Sequence, residues 1–86
     1  IAPQALHLLN SEFVRERARQ LAARVEAAAT DPDQRVAFLY QTVLARQPTH
    51  EETAAAKEFL SSSETETGWV DLCHAMLNLN EFLYMD

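Results

Sequence analysis

Apolar residues return at intervals of three and four along most of the chain, in runs cut by residues that begin or end helices. The last run, Trp69, Leu72, Cys73, Met76 and Leu77, falls at i, i+3, i+4, i+7 and i+8, a single stripe on an α-helix. Val14, Ala18, Leu21, Val25 and Ala28 keep the same period earlier in the chain. Val36, Leu39, Tyr40, Val43 and Leu44 make a third face, and Ala55, Ala56, Phe59 and Leu60 a fourth. Gly68 is the only glycine, and alanine supplies many of the apolar residues while valine and isoleucine are few. That mixture favours helix over sheet.

The punctuation between runs gives the expected element boundaries. Pro3 suits the first turn of a short helix over residues 4–9, which ends near Asn10. Ser11 can cap a longer helix running to about Ala29, with Glu12 in its first turn, where a carboxylate meets the positive end of the helix dipole. Thr30, Asp31, Pro32 and Asp33 break that helix and cap the next. Pro48 disfavours helical backbone at Gln47 and so stops the third helix. Thr49 and Glu52 form a T-x-x-E capping box that opens the fourth. Residues 61–68 contain no apolar side chain and read as a surface loop. After Leu77, Asn78 and Asn80 interrupt the stripe, so residues 81–86 are expected to form a short terminal turn. The expected fold class is all-α, a small bundle of about five helices with short loops and that C-terminal turn.

A chain of 86 residues is one domain, and at that size only about 60% of the unfolded surface becomes buried. It opens on Ile1 without a charged leader and an apolar run, as a piece cut from a longer protein would. No apolar stretch approaches the roughly 20 residues that span a bilayer. Charge is unevenly spread: residues 1–50 carry six Arg against five Asp/Glu, and residues 51–86 one Lys against eight, for a net charge of −6. An acidic chain without a Lys/Arg cluster lacks the means to neutralise phosphates, which excludes nucleic acid as a partner. Arg15, Arg17, Arg19 and Arg24 are interleaved with Glu12, Glu16 and Glu26 and read as a solvated helix face.

Cys73, His74 and Met76 stand close enough in sequence to suggest a metal or haem site. The helical stripe argues otherwise, because Cys73 and Met76 lie on its buried side and His74 is turned about 100° from Cys73. Asp71, one turn earlier, is the closer neighbour for His74. Covalent haem attachment needs C-x-x-C-H, which one cysteine cannot supply, and His7, His50 and His74 have no paired ligand spacing. Buried free Cys and gap-filling Met account for the cluster structurally. Ser61 to Ser63 have no G-x-S-x-G elbow or glycine-rich loop to position a nucleophile. Glu51-Glu52 and Glu64-x-Glu66 are explained by the capping box and a solvated loop. No catalytic residue, metal ligand or cofactor is expected.

Three segments taken together resemble a known family. They are Pro3-Gln4-Ala5-Leu6-His7-Leu8-Leu9-Asn10-Ser11-Glu12-Phe13-Val14; Leu39-Tyr40 through Leu44-Ala45-Arg46-Gln47-Pro48-Thr49 to Glu52; and Trp69 through Leu72 to Asn80-Glu81-Phe82-Leu83-Tyr84. The pattern is similar to the C-terminal end of the planctomycete-specific domain of unknown function found in large proteins that often carry a cytochrome-c-like domain. Ala45 stands where a glycine commonly precedes the arginine, and Leu79 where a serine is common. Without that glycine, the third helix is expected to run on toward Pro48. The resemblance implies an exported or cell-envelope parent protein and supplies no catalytic residue.

The residues therefore point to a non-catalytic helical module that packs on, or interacts through, the remainder of its parent protein. A redox role, with His74 or Met76 binding a metal or docking a haem domain, is the alternative, and carbohydrate binding through Trp69 or Tyr84 ranks third. The structural and contact candidates are Phe13, Trp69, Phe82, Leu83 and Tyr84. Phe82 and Tyr84 lie about 200° apart on a helix, so they cannot share one face. Phe82 and Leu83 are expected to dock near Phe13 and join the two ends of the chain.

Overall fold

The computed structural model describes residues 12–63 and 67–84, the side chains of residues 81–84 excepted. Four helices and no strand occur among the described residues: α1 (Glu12–Ala28), α2 (Pro32–Leu44), α3 (His50–Ser62) and α4 (Gly68–Tyr84). The expected helix over residues 4–9 and its link to Ser11 lie outside the described residues. α1 and α4 form the most extensive pairing; α2 packs on α1, α3 on α2, and α3 closes back on α4. α2 also touches α4, so α1 and α3 occupy the far corners of the bundle.

The core follows the stripes with a few shifts. Ala18, Leu21, Ala22 and Val25 are buried from α1, Val36, Leu39 and Tyr40 from α2, Ala56 from α3, and Leu72, Cys73 and Met76 from α4. Val43, Leu44, Leu60, Trp69 and Leu77 pack partly against them. Ala22 joins Ala18 inside, and Ala28 is exposed, because the α1 stripe turns slowly around the axis and Ala28 lies at the helix end. On α3 only Ala56 is fully inside, while Ala55 and Phe59 face out. One buried alanine gives α3 the thinnest hold on the core.

Local chemistry sets most of the ends. Asp31 has extended backbone and its Oδ2 accepts the Gln34 N–H at 3.0 Å, with Pro32 in the first helical position of α2. The capping box at α3 is complete: Thr49 Oγ1 accepts the Glu52 N–H at 3.1 Å, and Glu52 Oε1 accepts the Thr49 N–H at 2.9 Å.

Three expected boundaries are corrected. α2 does not run on toward Pro48 but stops at Leu44, where Ala45 takes left-handed backbone (φ 58°, ψ 33°) and donates its N–H to Gln41 O at 3.1 Å. A left-handed residue reverses the chain at once, as the short connection to Thr49 requires. The loop expected over residues 61–68 is shorter, because Ser61 and Ser62 complete α3, their hydroxyls donating to the carbonyls of Glu58 and Phe59. Gly68 already belongs to α4 and packs so closely that a Cβ there would lie 3.3 Å from Ser63 Oγ. Asn78 and Asn80 do not end α4, and in place of a terminal turn the helix continues to Tyr84. An asparagine inside a helix costs at most about 0.7 kcal/mol relative to alanine, too little to break it without a proline or glycine.

Candidate functional site

The polar groups of this bundle gather where helices meet. Between α1 and α4, Arg15 Nη2 lies 2.8 Å from Asp71 Oδ1, and Arg15 Nη1 lies 3.3 Å from His74 Nδ1. A guanidinium only donates, so Nδ1 is the acceptor and the ring proton of the neutral imidazole sits on Nε2. Thr67 Oγ1 donates to Asp71 Oδ2 at 3.2 Å, while the Asp71 N–H donates to Thr67 O at 2.8 Å. Arg15 is therefore not part of a solvated face, as its sequence neighbours suggest. It flanks the buried Ala18 and Ala22 at i+3 and i+7, and that spacing was the available signal. The neighbour placed against His74 is Arg15, with Asp71 sharing the same guanidinium.

At the junction of α1 and α2, Arg35 has three partners. Its Nε donates to Ala29 O at 2.7 Å, its Nη2 to Glu26 O at 3.2 Å, and its guanidinium lies 5.8 Å from the centre of the Trp69 ring. Carbonyls at the end of α1 that lack helical donors are thus satisfied by a side chain from the next helix. Trp69 is half-buried beneath that cation, and it also lines an open hollow of about 300 Å³ with Pro32, Lys57, Leu60 and Ser61.

The connection from α2 to α3 is the most organised surface feature. Arg46 Nη1 and Nη2 lie 2.8 and 2.9 Å from the two carboxylate oxygens of Glu52, a bidentate pair. Arg46 Nη1 also donates to Gln47 O at 3.1 Å, and the guanidinium stands 5.7 Å from the centre of the Tyr40 ring. Arg46 first, and the Thr49 N–H second, hold the Glu52 carboxyl well below the usual range, at about 2. Burial, and then the Glu52 charge, push the Tyr40 hydroxyl up, against the lowering effect of Arg46.

Comparison with known proteins bears on this segment. The family model described as PSD1, protein of unknown function (DUF1553), matches residues 1–60. The chain belongs to the PSD1 family. No curated protein and no solved structure matches it. The matched residues include two of the three segments that carried the resemblance, while Trp69 to Tyr84 lies beyond them. Within the PSD1 match, the run from Leu44 to Glu52 is a device for ending one helix and beginning another. Ala45 turns the chain, Arg46 grips Glu52, and Glu52 caps the Thr49 backbone.

Cys73 is wholly buried, and burial pushes its thiol up to about 12, with the Glu26 charge a smaller cause. Met76 is buried beside it on the stripe, while His74 sits at the edge with Arg15. Among the described residues no three His, Cys, Asp or Glu side chains are placed to hold a metal ion. Phe13, one of the expected contact residues, is 68% exposed, with Arg17 5.8 Å from its ring centre. Phe82, Leu83 and Tyr84 lie on α4, but their side chains, and with them the expected docking of Phe82 and Leu83 near Phe13, fall outside the described residues. Phe59 and Leu79 are also exposed, at 41% and 48%. A shallow groove of about 320 Å³ runs between Arg17, Leu21, Arg24, Val43, Leu77 and Asn80. A smaller hollow of about 170 Å³ at Phe13 continues it through Arg17 and Leu77. No described helix is long and apolar enough to cross a membrane.

Proposed function

We propose that this PSD1 chain is a non-catalytic packing and interaction module of a multidomain extracytoplasmic protein. The observation that carries the reading is the placement of Phe13, Leu79 and Phe59 on the surface of a bundle whose core, among the described residues, forms without them. Large apolar side chains left outside a finished core favour contact with another surface. The polar residues support the same reading, because Arg15, Arg35, Arg46 and Glu52 are used in joining helices to one another. The extracytoplasmic setting comes from the family resemblance in sequence.

Hydrogen exchange on the 86-residue chain alone and within its full-length parent tests this. Peptides containing Phe13, Phe59 and Leu79 should exchange more slowly in the parent. Equal exchange in both would show that these faces meet water throughout and would remove the interaction role. Metal analysis and an absorption spectrum of the purified chain test the redox alternative, for which a stoichiometric metal lost in His74→Ala is the required result.

A further inference from the structure

The cations of this acidic chain are not equally occupied. Among the described residues Arg15, Arg19, Arg46 and Lys57 each pair with a carboxylate, and Arg35 donates to backbone carbonyls. Arg17 and Arg24 meet no carboxylate there; each lies instead near an aromatic ring, Phe13 and Phe38 respectively. Both border the same groove, which is also lined by Gln20, Leu21, Thr42, Val43, Leu77 and Asn80 and exposes more polar than apolar surface. Being seven residues apart on α1, they share one face and stand about 10.5 Å apart along the axis. The groove thus presents two cations, at a fixed separation, along a mostly polar trough.

A surface with the complementary layout exists on the same molecule. Glu51 and Glu58 are seven residues apart on α3, are exposed, and engage no cation among the described residues. Ala55 lies between them, turned about 100° from the buried Ala56, and exposed Phe59 flanks Glu58. We propose that the Arg17–Arg24 groove of one copy receives the Glu51–Glu58 face of a second copy. Two ion pairs set the register, and Phe59 packs on the apolar edge that Val43 and Leu77 supply. α1 and α3 occupy far corners of the bundle, so the contact is heterologous and joins copies head to tail. It is a contact between copies that shares Phe59 with the surface proposed above to meet the parent protein, and it is weak and salt-sensitive because its ion pairs are exposed.

The test is sedimentation equilibrium of the 86-residue chain at up to about 1 mM, in about 0.01 M and about 1 M salt, where the Debye length is about 30 and about 3 Å. Concentration-dependent association at low salt that falls at high salt is expected. Arg17→Gln with Arg24→Gln should weaken it about tenfold, the combined effect of two exposed ion pairs, with helicity unchanged. Arg17→Glu with Arg24→Glu, and separately Glu51→Arg with Glu58→Arg, should each abolish it, and an equimolar mixture of the two variants should restore it. A chain monomeric throughout, an association indifferent to salt or to the Arg17 and Arg24 changes, or a mixture that fails to associate would each overturn the contact. Slower exchange at Phe13 and Leu79, which the copy–copy contact does not use, would then still stand in the parent, so failure here is distinguishable from failure of the module reading.

Discussion

Ala45 holds the one positive-φ backbone outside glycine among the described residues. Left-handed backbone brings an L residue's Cβ against the following carbonyl oxygen at a cost of about 1–2 kcal/mol, which glycine avoids, although glycine loses more freedom on folding. Ala45→Gly should therefore stabilise the chain by about 0.5–1 kcal/mol, and a melt should show it, since each kcal/mol moves the midpoint by about 4–8 °C in a domain of this size. An unchanged or lower midpoint would mean that the turn is held by Arg46 rather than by residue 45. Cys73 gives a second check at this scale. Its thiol should label slowly in native buffer and quickly in denaturant, because burial holds it protonated to about pH 12; rapid native labelling would contradict the burial. Cys73 was readable from the sequence because its position on the stripe decides its fate. Arg15 was not, because its partners Asp71 and His74 come from a helix far along the chain and only the packing of α1 on α4 brings them together.

Among the elements, the α2–α3 connection shows how a short motif becomes a rigid joint. The T-x-x-E box was legible because both of its bonds are local. The grip of Arg46 on Glu52 was not, since it depends on the left-handed turn that the missing glycine seemed to forbid. The joint makes stability depend on acidity. The Glu52 carboxyl is held at about 2 when folded, below its ordinary value of 4.5, so the unfolded chain binds the extra proton. The contribution is complete above about pH 4.5 and fades as pH falls toward 2. Its size is reduced by solvent screening, because a third of the Glu52 side chain is exposed. Glu52→Gln should melt lower than the parent chain at neutral pH, and the difference should close between pH 4.5 and 2. A difference that persists unchanged at pH 2 would assign the loss to the cap and not to the charge.

For the molecule as a whole, the stripes announced that each helix buries a face but not which neighbour it meets. Loop lengths suggest neighbours in sequence, yet the most extensive pairing joins α1 to α4, across residues 29–67. Ala18 and Ala22 on α1 and Cys73 on α4 are small and buried, and small side chains at a contact let helix axes lie closer together. Met76→Ala in this seam should cost about 2–5 kcal/mol, a large share of the roughly 5–15 available to a domain, read as a lower urea midpoint with an unchanged slope. The same pairing fixes an order of events in time. Closing α1 onto α4 spans about three doublings of the loop between α2 and α3, an added entropic cost of about 2 kcal/mol, so the α2–α3 hairpin can form while the two outer helices are still apart. The most extensive seam of the bundle is then expected to close last and open first, and in rapid-mixing kinetics Met76→Ala should speed unfolding while leaving the folding rate nearly unchanged.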